Sequence, residues 1–151
     1  MESLIKQVNR RNWWHSPPID KLAYTKRGVF LASSYKECEF YGRPIDEPIK
    51  VNVTNPVIDT EENIIKMLFG RDSLQMKSYK ALVIDTGADN LKLRFALDED
   101  MYKEAKKNGY DAIAIVTEEG LEKVKAGKLS KSVELNVFDV NKTTVVQCQN
   151  K

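Results

Sequence analysis

The order of β-rich and helical runs constrains this chain most. Short strands are interrupted by single short helices, with no steady βαβ alternation. A doubly wound parallel sheet needs a helix at every crossover, so this order predicts a mixed or mainly antiparallel α+β fold. Asn12 to His15 is a short aromatic strand, broken at Pro17-Pro18 because proline fixes φ and removes a donor. Gly28 to Ser33 is an apolar strand leading into a short helix over Tyr35 to Tyr41. Pro48 to Thr54 alternates apolar and polar residues, the period of a half-buried strand, and Asn55-Pro56 ends it. Asp59 or Thr60 caps a helix over Glu61 to Phe69, which stops at Gly70. Tyr79 to Ile84 and Leu91 to Leu97 read as strands flanking the turn T-G-A-D-N. Asp98 opens a helix through Lys107; a buried strand over Ala112 to Val116 and a short helix over Glu118 to Lys125 follow. Val133 to Val140 and Thr143 to Gln147 close the chain as a hairpin around Asn141-Lys142.

No internal repeat or low-complexity linker divides residues 1–151, so one domain is expected. The apolar fraction of 42% and charged fraction of 30% are those of a globular chain. A net charge of +2 is too small to draw nucleic acid by bulk attraction. The longest apolar stretches, Ala81 to Ile84 and Ala112 to Val116, fall far short of the roughly 20 residues a bilayer requires. No membrane partner is expected. The polar stretch Met1 to Asn12 carries no signal core. Cys38 and Cys148 sit at no metal-like or disulfide-framework spacing, so a reducing cytoplasm is the expected setting, with no bound metal. A protein delivered into a host cytoplasm would read the same way.

Three segments carry candidate chemistry. Trp13-Trp14-His15-Ser16-Pro17 holds the sole histidine. Gly28-Val29-Phe30-Leu31-Ala32-Ser33-Ser34 runs into Tyr35-Lys36-Glu37-Cys38-Glu39-Phe40-Tyr41-Gly42. Near the end stands Ser132-Val133-Glu134-Leu135-Asn136-Val137-Phe138-Asp139. Singly, each has an ordinary structural reading: a half-buried histidine, a core phenylalanine, a polar stripe facing water. Glu134 is unusual because acids are depleted in strands; alternation puts it with Ser132 and Asn136, opposite Val133, Leu135 and Val137.

In order, W-H-S-P, then G-V-F-L-A-S-S with C-x-x-Y-G, then S-x-E-L-x-V-F-D resemble the ADP-ribosyltransferase superfamily of the poly(ADP-ribose) polymerase type, in its small bacterial and phage members. The strand into N-P at Val51 to Pro56 and G-Y-D-A-I at Gly109 to Ile113 add to the likeness. The resemblance spans Asn12 to Val145, carried by about a third of those positions. It implies split, mainly antiparallel sheets with short flanking helices, and a monomeric mono-ADP-ribosyltransferase. NAD would be the co-substrate, and a protein or nucleic acid the acceptor.

The same resemblance assigns roles. Glu134 would bind the nicotinamide-ribose hydroxyl and stabilise the oxocarbenium-like ribose formed as nicotinamide leaves. His15 would orient the dinucleotide, and the Ser16 backbone would clamp the carboxamide. Tyr41 would stack on the nicotinamide ring opposite Phe30, with Ser33 beside them. Cys38 would meet the carboxamide oxygen. Ser16 replaces the usual glycine, Phe30 lacks the common tyrosine hydroxyl, and Cys38 replaces a hydroxyl residue. Ser132 stands where arginine-modifying relatives carry a second acid, which argues against arginine as acceptor. A non-catalytic relative that only binds NAD or ADP-ribose is the alternative.

A third reading rests on Ala81 to Asp89. This apolar run into D-T-G-A-D looks like the active-site loop of dimeric retroviral-type aspartic proteases, with Asp85-Thr86-Gly87 as the motif. No Gly-rich flap follows, and a hairpin turn explains the same residues. The basic residues Lys6, Arg10, Arg11, Lys21, Lys26 and Arg27 flank the proposed pocket in sequence; they would meet a pyrophosphate, a nucleic acid or solvent.

Overall fold

The computed structural model describes residues 1–18, 20–39, 44–85 and 90–146. In chain order the elements are α1 (Glu2–Arg10), β1 (Trp14–His15), α2 (Ala23–Arg27), β2 (Val29–Ala32), α3 (Tyr35–Cys38), β3 (Ile49–Val51), β4 (Pro56–Asp59), α4 (Glu61–Phe69), α5 (Leu74–Ile84), α6 (Leu91–Lys107), β5 (Ala112–Val116), α7 (Glu118–Lys125), β6 (Val133–Val137) and β7 (Thr143–Val145). The fold is mixed α+β, as the order of runs implies.

One sheet runs β1-β2-β6-β5-β4, antiparallel except for the parallel pair β4-β5. A smaller antiparallel sheet pairs β3 with β7. Trp13 bridges to Ile49, so the chain passes from the small sheet into β1 without a break. The Trp13 ring is fully buried, and its Nε1–H donates to the Val8 carbonyl at 3.0 Å.

Side chains alternate across the pleat, so the register assigns every strand residue to a face. On one face lie His15, Leu31, Leu135, Ala114 and Ile58 in a single row. That face packs with Leu4 and Val8 of α1, with Ile49 and Val51, and with Leu121 and Leu129. The other face holds Val57, Ile113 and Ile115, covered by Ile64 and Ile65 of α4, Met76 and Leu82 of α5, and Leu97 and Met101 of α6. Arg94 of α6 fixes that layer by bridging Glu61 and Asp98, each at 2.5 Å. The helices leave one corner of this second face open, over the row Trp14, Ala32 and Glu134. Gly28, at the start of β2, leaves no room for a side chain. Its φ is +77, and a Cβ would lie 2.3 Å from Asn136 Oδ1.

Several sequence expectations are corrected. Tyr79–Ile84 and Leu91–Leu97 are helical, inside α5 and α6, and Asp98 lies within α6 rather than opening it. Short apolar runs do not separate strand from helix by periodicity. Here Ser73 caps α5 by accepting from Met76 N at 3.0 Å, and Arg94 pairs with Asp98 one turn on. With its 17 residues, α6 is not a short flanking helix. Pro56 does not end a strand; it begins β4, an edge strand, where its missing N–H costs nothing. The terminal hairpin does not form. A 3₁₀ turn over Val140–Lys142, capped by the Asp139 carboxylate on Asn141 N, sends β7 away to β3. The helix expected to reach Tyr41 is described over Tyr35–Cys38; residues 40–43 lie outside the described residues. Among the described residues no helix is long and apolar enough to cross a membrane.

Candidate functional site

The open corner is built where β1 begins, β2 ends, β5 passes into α7, and β6 begins. One cavity of about 680 Å³ is lined by Arg11, Asn12, Trp14, Ser33, Ser34, Glu37, Lys131 and Ser132. A second, of about 290 Å³, is lined by Ala32, Ile115, Val116, Thr117, Val133, Glu134 and again Glu37 and Ser132. They share Glu37 and Ser132, and so adjoin as one groove whose lining includes the carboxylates of Glu37 and Glu134.

Glu134 reaches this groove because β6 is the middle strand of the sheet, paired with Ala32 of β2 and Ile115 of β5. Its side chain is half-buried and shares a row with Trp14. The Trp14 ring meets Tyr35 edge-on at 5.5 Å, which fixes the indole at the groove wall.

Glu37 comes from the first turn of α3. Ser34 caps that helix, accepting from Glu37 N at 3.1 Å, in the S-x-x-E pattern of a capping box. The carboxylate does not return to the cap backbone. It accepts from Ser33 Oγ at 2.9 Å, from Ser34 Oγ at 3.1 Å, and from Ser132 Oγ. Partial burial works to raise its pKa, but the hydroxyls of Ser132, Ser33 and Ser34 outweigh it and hold the carboxyl below its ordinary range. Ser33 also accepts from Val133 N at 3.1 Å, tying β2 to the start of β6. The opposite wall is held by Arg11, which donates to the carbonyls of Ser130 at 2.6 Å and Leu129 at 3.3 Å.

His15 is placed elsewhere. The register puts it on the opposite face of the sheet from Glu134, in the row of Leu31 and Leu135, 6% exposed. Its Nδ1–H donates to the Phe30 carbonyl at 2.8 Å, and its Nε2 accepts from Tyr24 Oη–H at 2.8 Å. A carbonyl only accepts, so this pair of bonds selects the neutral Nδ1–H tautomer. Burial lowers the imidazole pKa, against the Phe30 bond that raises it. Both ring nitrogens are consumed inside the fold, so His15 does not orient a dinucleotide beside Glu134. This corrects the sequence assignment.

The remaining sequence candidates divide. Ser33 lies in the groove, as expected. Phe30 shares the face of Glu134 but sits one row away, opposite Asn136. Ser16 follows β1 at the end of the strand away from Asn12 and Trp14, and lines neither cavity. Cys38 is 2% exposed, and burial pushes its thiol up to about 11; it is a core residue and makes no carboxamide contact. Tyr41 and the Thr86-Gly87 pair lie outside the described residues. Ala81–Ile84, which a protease loop needs as a strand, is helical, and Asp85 ends that helix. Sequence reasoning missed Glu37, Trp14 and the clamp by Arg11. The S-S-Y-K-E stretch carried the signal for Glu37, because a capping box places its acid beside the cap hydroxyl.

In chemical terms the groove offers two acidic side chains, a fixed indole, the four hydroxyls of Ser33, Ser34, Thr117 and Ser132 and the cationic Lys131 and Arg11. Comparison with protein families, curated proteins and solved structures finds no match to this chain.

Proposed function

We propose that the groove binds NAD and that the chain transfers its ADP-ribose unit to a macromolecular acceptor, releasing nicotinamide. The observation that carries this reading is Glu134, a half-buried carboxylate on the central strand that lines a cavity at the sheet's edge. A fixed negative charge in a partly dry site stabilises the positive charge that develops on ribose as the glycosidic bond breaks. Trp14 offers a flat surface for a base, and Lys131 and Arg11 supply charge for a pyrophosphate. The hydroxyls of Ser33, Ser34 and Ser132 would orient the dinucleotide through its sugar, in place of His15.

The test is nicotinamide release from NAD. Glu134→Gln should lower it at least tenfold, which is about 1.4 kcal/mol of transition-state stabilisation. Unchanged turnover in that variant would remove Glu134 from the chemistry. A second reading, a non-catalytic NAD or ADP-ribose binder, is favoured by the burial of His15 and Cys38 in the core. NAD raising the melting temperature with no nicotinamide released would select it.

A further inference from the structure

We propose that Glu37 is the second working carboxylate of this groove, accepting the proton of the nucleophile that attacks the ribose carbon. The proposal rests on the NAD reading of Glu134 given above. Its own basis is the partition of the groove. The larger cavity holds Trp14, Arg11 and Lys131, and the smaller holds Glu134 between the apolar walls Ala32, Ile115, Val116 and Val133. Glu37 and Ser132 are the residues common to both linings. Glu37 therefore stands where a molecule in one cavity meets a molecule in the other.

The chemistry needs a group there. Displacement at an anomeric carbon uses two carboxyl groups on opposite flanks, because the leaving group departs on one side and the nucleophile arrives on the other. Nicotinamide leaves a pyridinium as a neutral ring, so no acid has to protonate it. The second carboxylate is then free for the incoming side. The C1′–N bond breaks with its electron pair going to nicotinamide, and the oxygen–C1′ bond forms. The nucleophile's proton passes to the Glu37 carboxylate and from there to water. Glu37 and Glu134 arise on different elements, α3 and β6, which lets them flank one carbon rather than crowd the same side.

The environment of Glu37 suits that task. Its donors are three serine hydroxyls, each of which can accept as well as donate by turning its hydrogen about the Cβ–Oγ bond, although backbone amides hold the Ser33 and Ser34 oxygens in place. Any one hydrogen can turn away to admit the hydroxyl of a nucleophile. The bonds keep the group anionic, and a weak base suffices, since a hydroxyl attacking a nearly formed cation becomes strongly acidic as it bonds.

Azide separates this role from a structural one, because it attacks as an anion and brings no proton. Nicotinamide release from NAD is measured for the unsubstituted protein, Glu37→Ala, Glu37→Gln and Glu134→Gln, each with and without sodium azide. In water both Glu37 variants should be at least tenfold slower than the unsubstituted protein. Azide should restore Glu37→Ala and yield an azido-ADP-ribose, while Glu134→Gln stays slow. Glu37 variants running at the full rate in water would overturn the role of Glu37 and leave Glu134 standing. So would a Glu37→Ala protein that keeps its melting temperature yet gains nothing from azide. Absence of nicotinamide release from the unsubstituted protein would overturn both.

Discussion

Asp111 and Glu37 are two carboxylates that solve one problem with different donors. Asp111, between α6 and β5, accepts from Thr54 N at 2.7 Å, Asn55 N at 2.8 Å, Thr54 Oγ1 at 3.1 Å and Lys142 Nζ at 2.8 Å. Glu37 accepts from Ser33, Ser34 and Ser132. In both, burial alone would raise the pKa. At Asp111 it is outweighed by Lys142 and the backbone of Thr54 and Asn55, and at Glu37 by the serine hydroxyls. Both stay ionised. Three of the four donors around Asp111, two backbone amides and an ammonium, can only give a hydrogen; the Thr54 hydroxyl is the fourth. Those around Glu37 are hydroxyls, which can give or take. One arrangement is a fixed joint between the loop before β4, the start of β5 and the turn before β7. The other faces a cavity and can exchange partners.

The largest expected effect breaks the fixed joint. Asp111→Asn replaces one accepting oxygen with an NH₂ aimed at groups that are themselves donors. It should destabilise the fold by about 3 kcal/mol, read by chemical denaturation. The sign of the pH dependence follows from the depressed pKa. Stability from Asp111 is fully present above the ordinary carboxylate range, near 4, and is lost as pH falls through the folded pKa. Below that range the gap between Asp111→Asn and the unsubstituted protein should therefore close. A loss under about 0.5 kcal/mol at neutral pH would show the joint to be ornamental, and the comparison would fail.

The joint also explains what could be read from residues alone. Helix α4 was legible to its ends because Thr60, Glu61, Glu62 and Gly70 are local signals, and local signals act wherever the chain goes. Strands β2, β5 and β6 were legible from apolar, β-branched residues between turn residues, and β1 from its aromatic run ahead of Pro17-Pro18. The partner of β7 was not legible. It depends on Lys142 meeting Asp111 and on Asn52 N donating to the Lys142 carbonyl at 2.9 Å, contacts made across long stretches of chain. The site divides the same way. Glu134 stood out in the sequence because an acid in an apolar strand conflicts with its neighbours, and it lines the groove. His15 was misplaced because a ring's face is set by strand register, which one residue of slip reverses.

His15 supplies the second, intermediate test, since it is a polar group as closed as Asp111 yet titrates in a different window. Its folded pKa lies below the ordinary histidine value of 6.5, chiefly through burial. The unfolded chain therefore takes up a proton first as pH falls. The His15 contribution is fully present above that value and declines as pH drops through 6.5 towards the folded pKa. His15→Phe should cost about 2 kcal/mol at pH 8, by orphaning the Phe30 carbonyl and the Tyr24 hydroxyl. It should also flatten the stability curve between pH 7 and the histidine's folded pKa. Nicotinamide release per folded molecule should stay within about twofold of the unsubstituted protein, a difference under about 0.5 kcal/mol. A tenfold loss would return His15 to the groove and undo its assignment to the core.

The smallest expected effect sharpens the comparison most. Glu37→Gln makes the same chemical change as Asp111→Asn, in a place where every donor can reverse. The glutamine oxygen can keep the Ser33 and Ser34 bonds, and its NH₂ can donate to the Ser132 oxygen once that hydroxyl turns. The fold should lose less than about 1 kcal/mol, because no buried donor or acceptor is left unmatched. Depressed as it is, the Glu37 carboxyl contributes stability only above the ordinary carboxylate range, so even this loss should vanish in acid. A loss equal to that of Asp111→Asn would mean the hydroxyls are as fixed as the amides. Glu37 would then be a second joint like Asp111, and the contrast between the two carboxylates would fail.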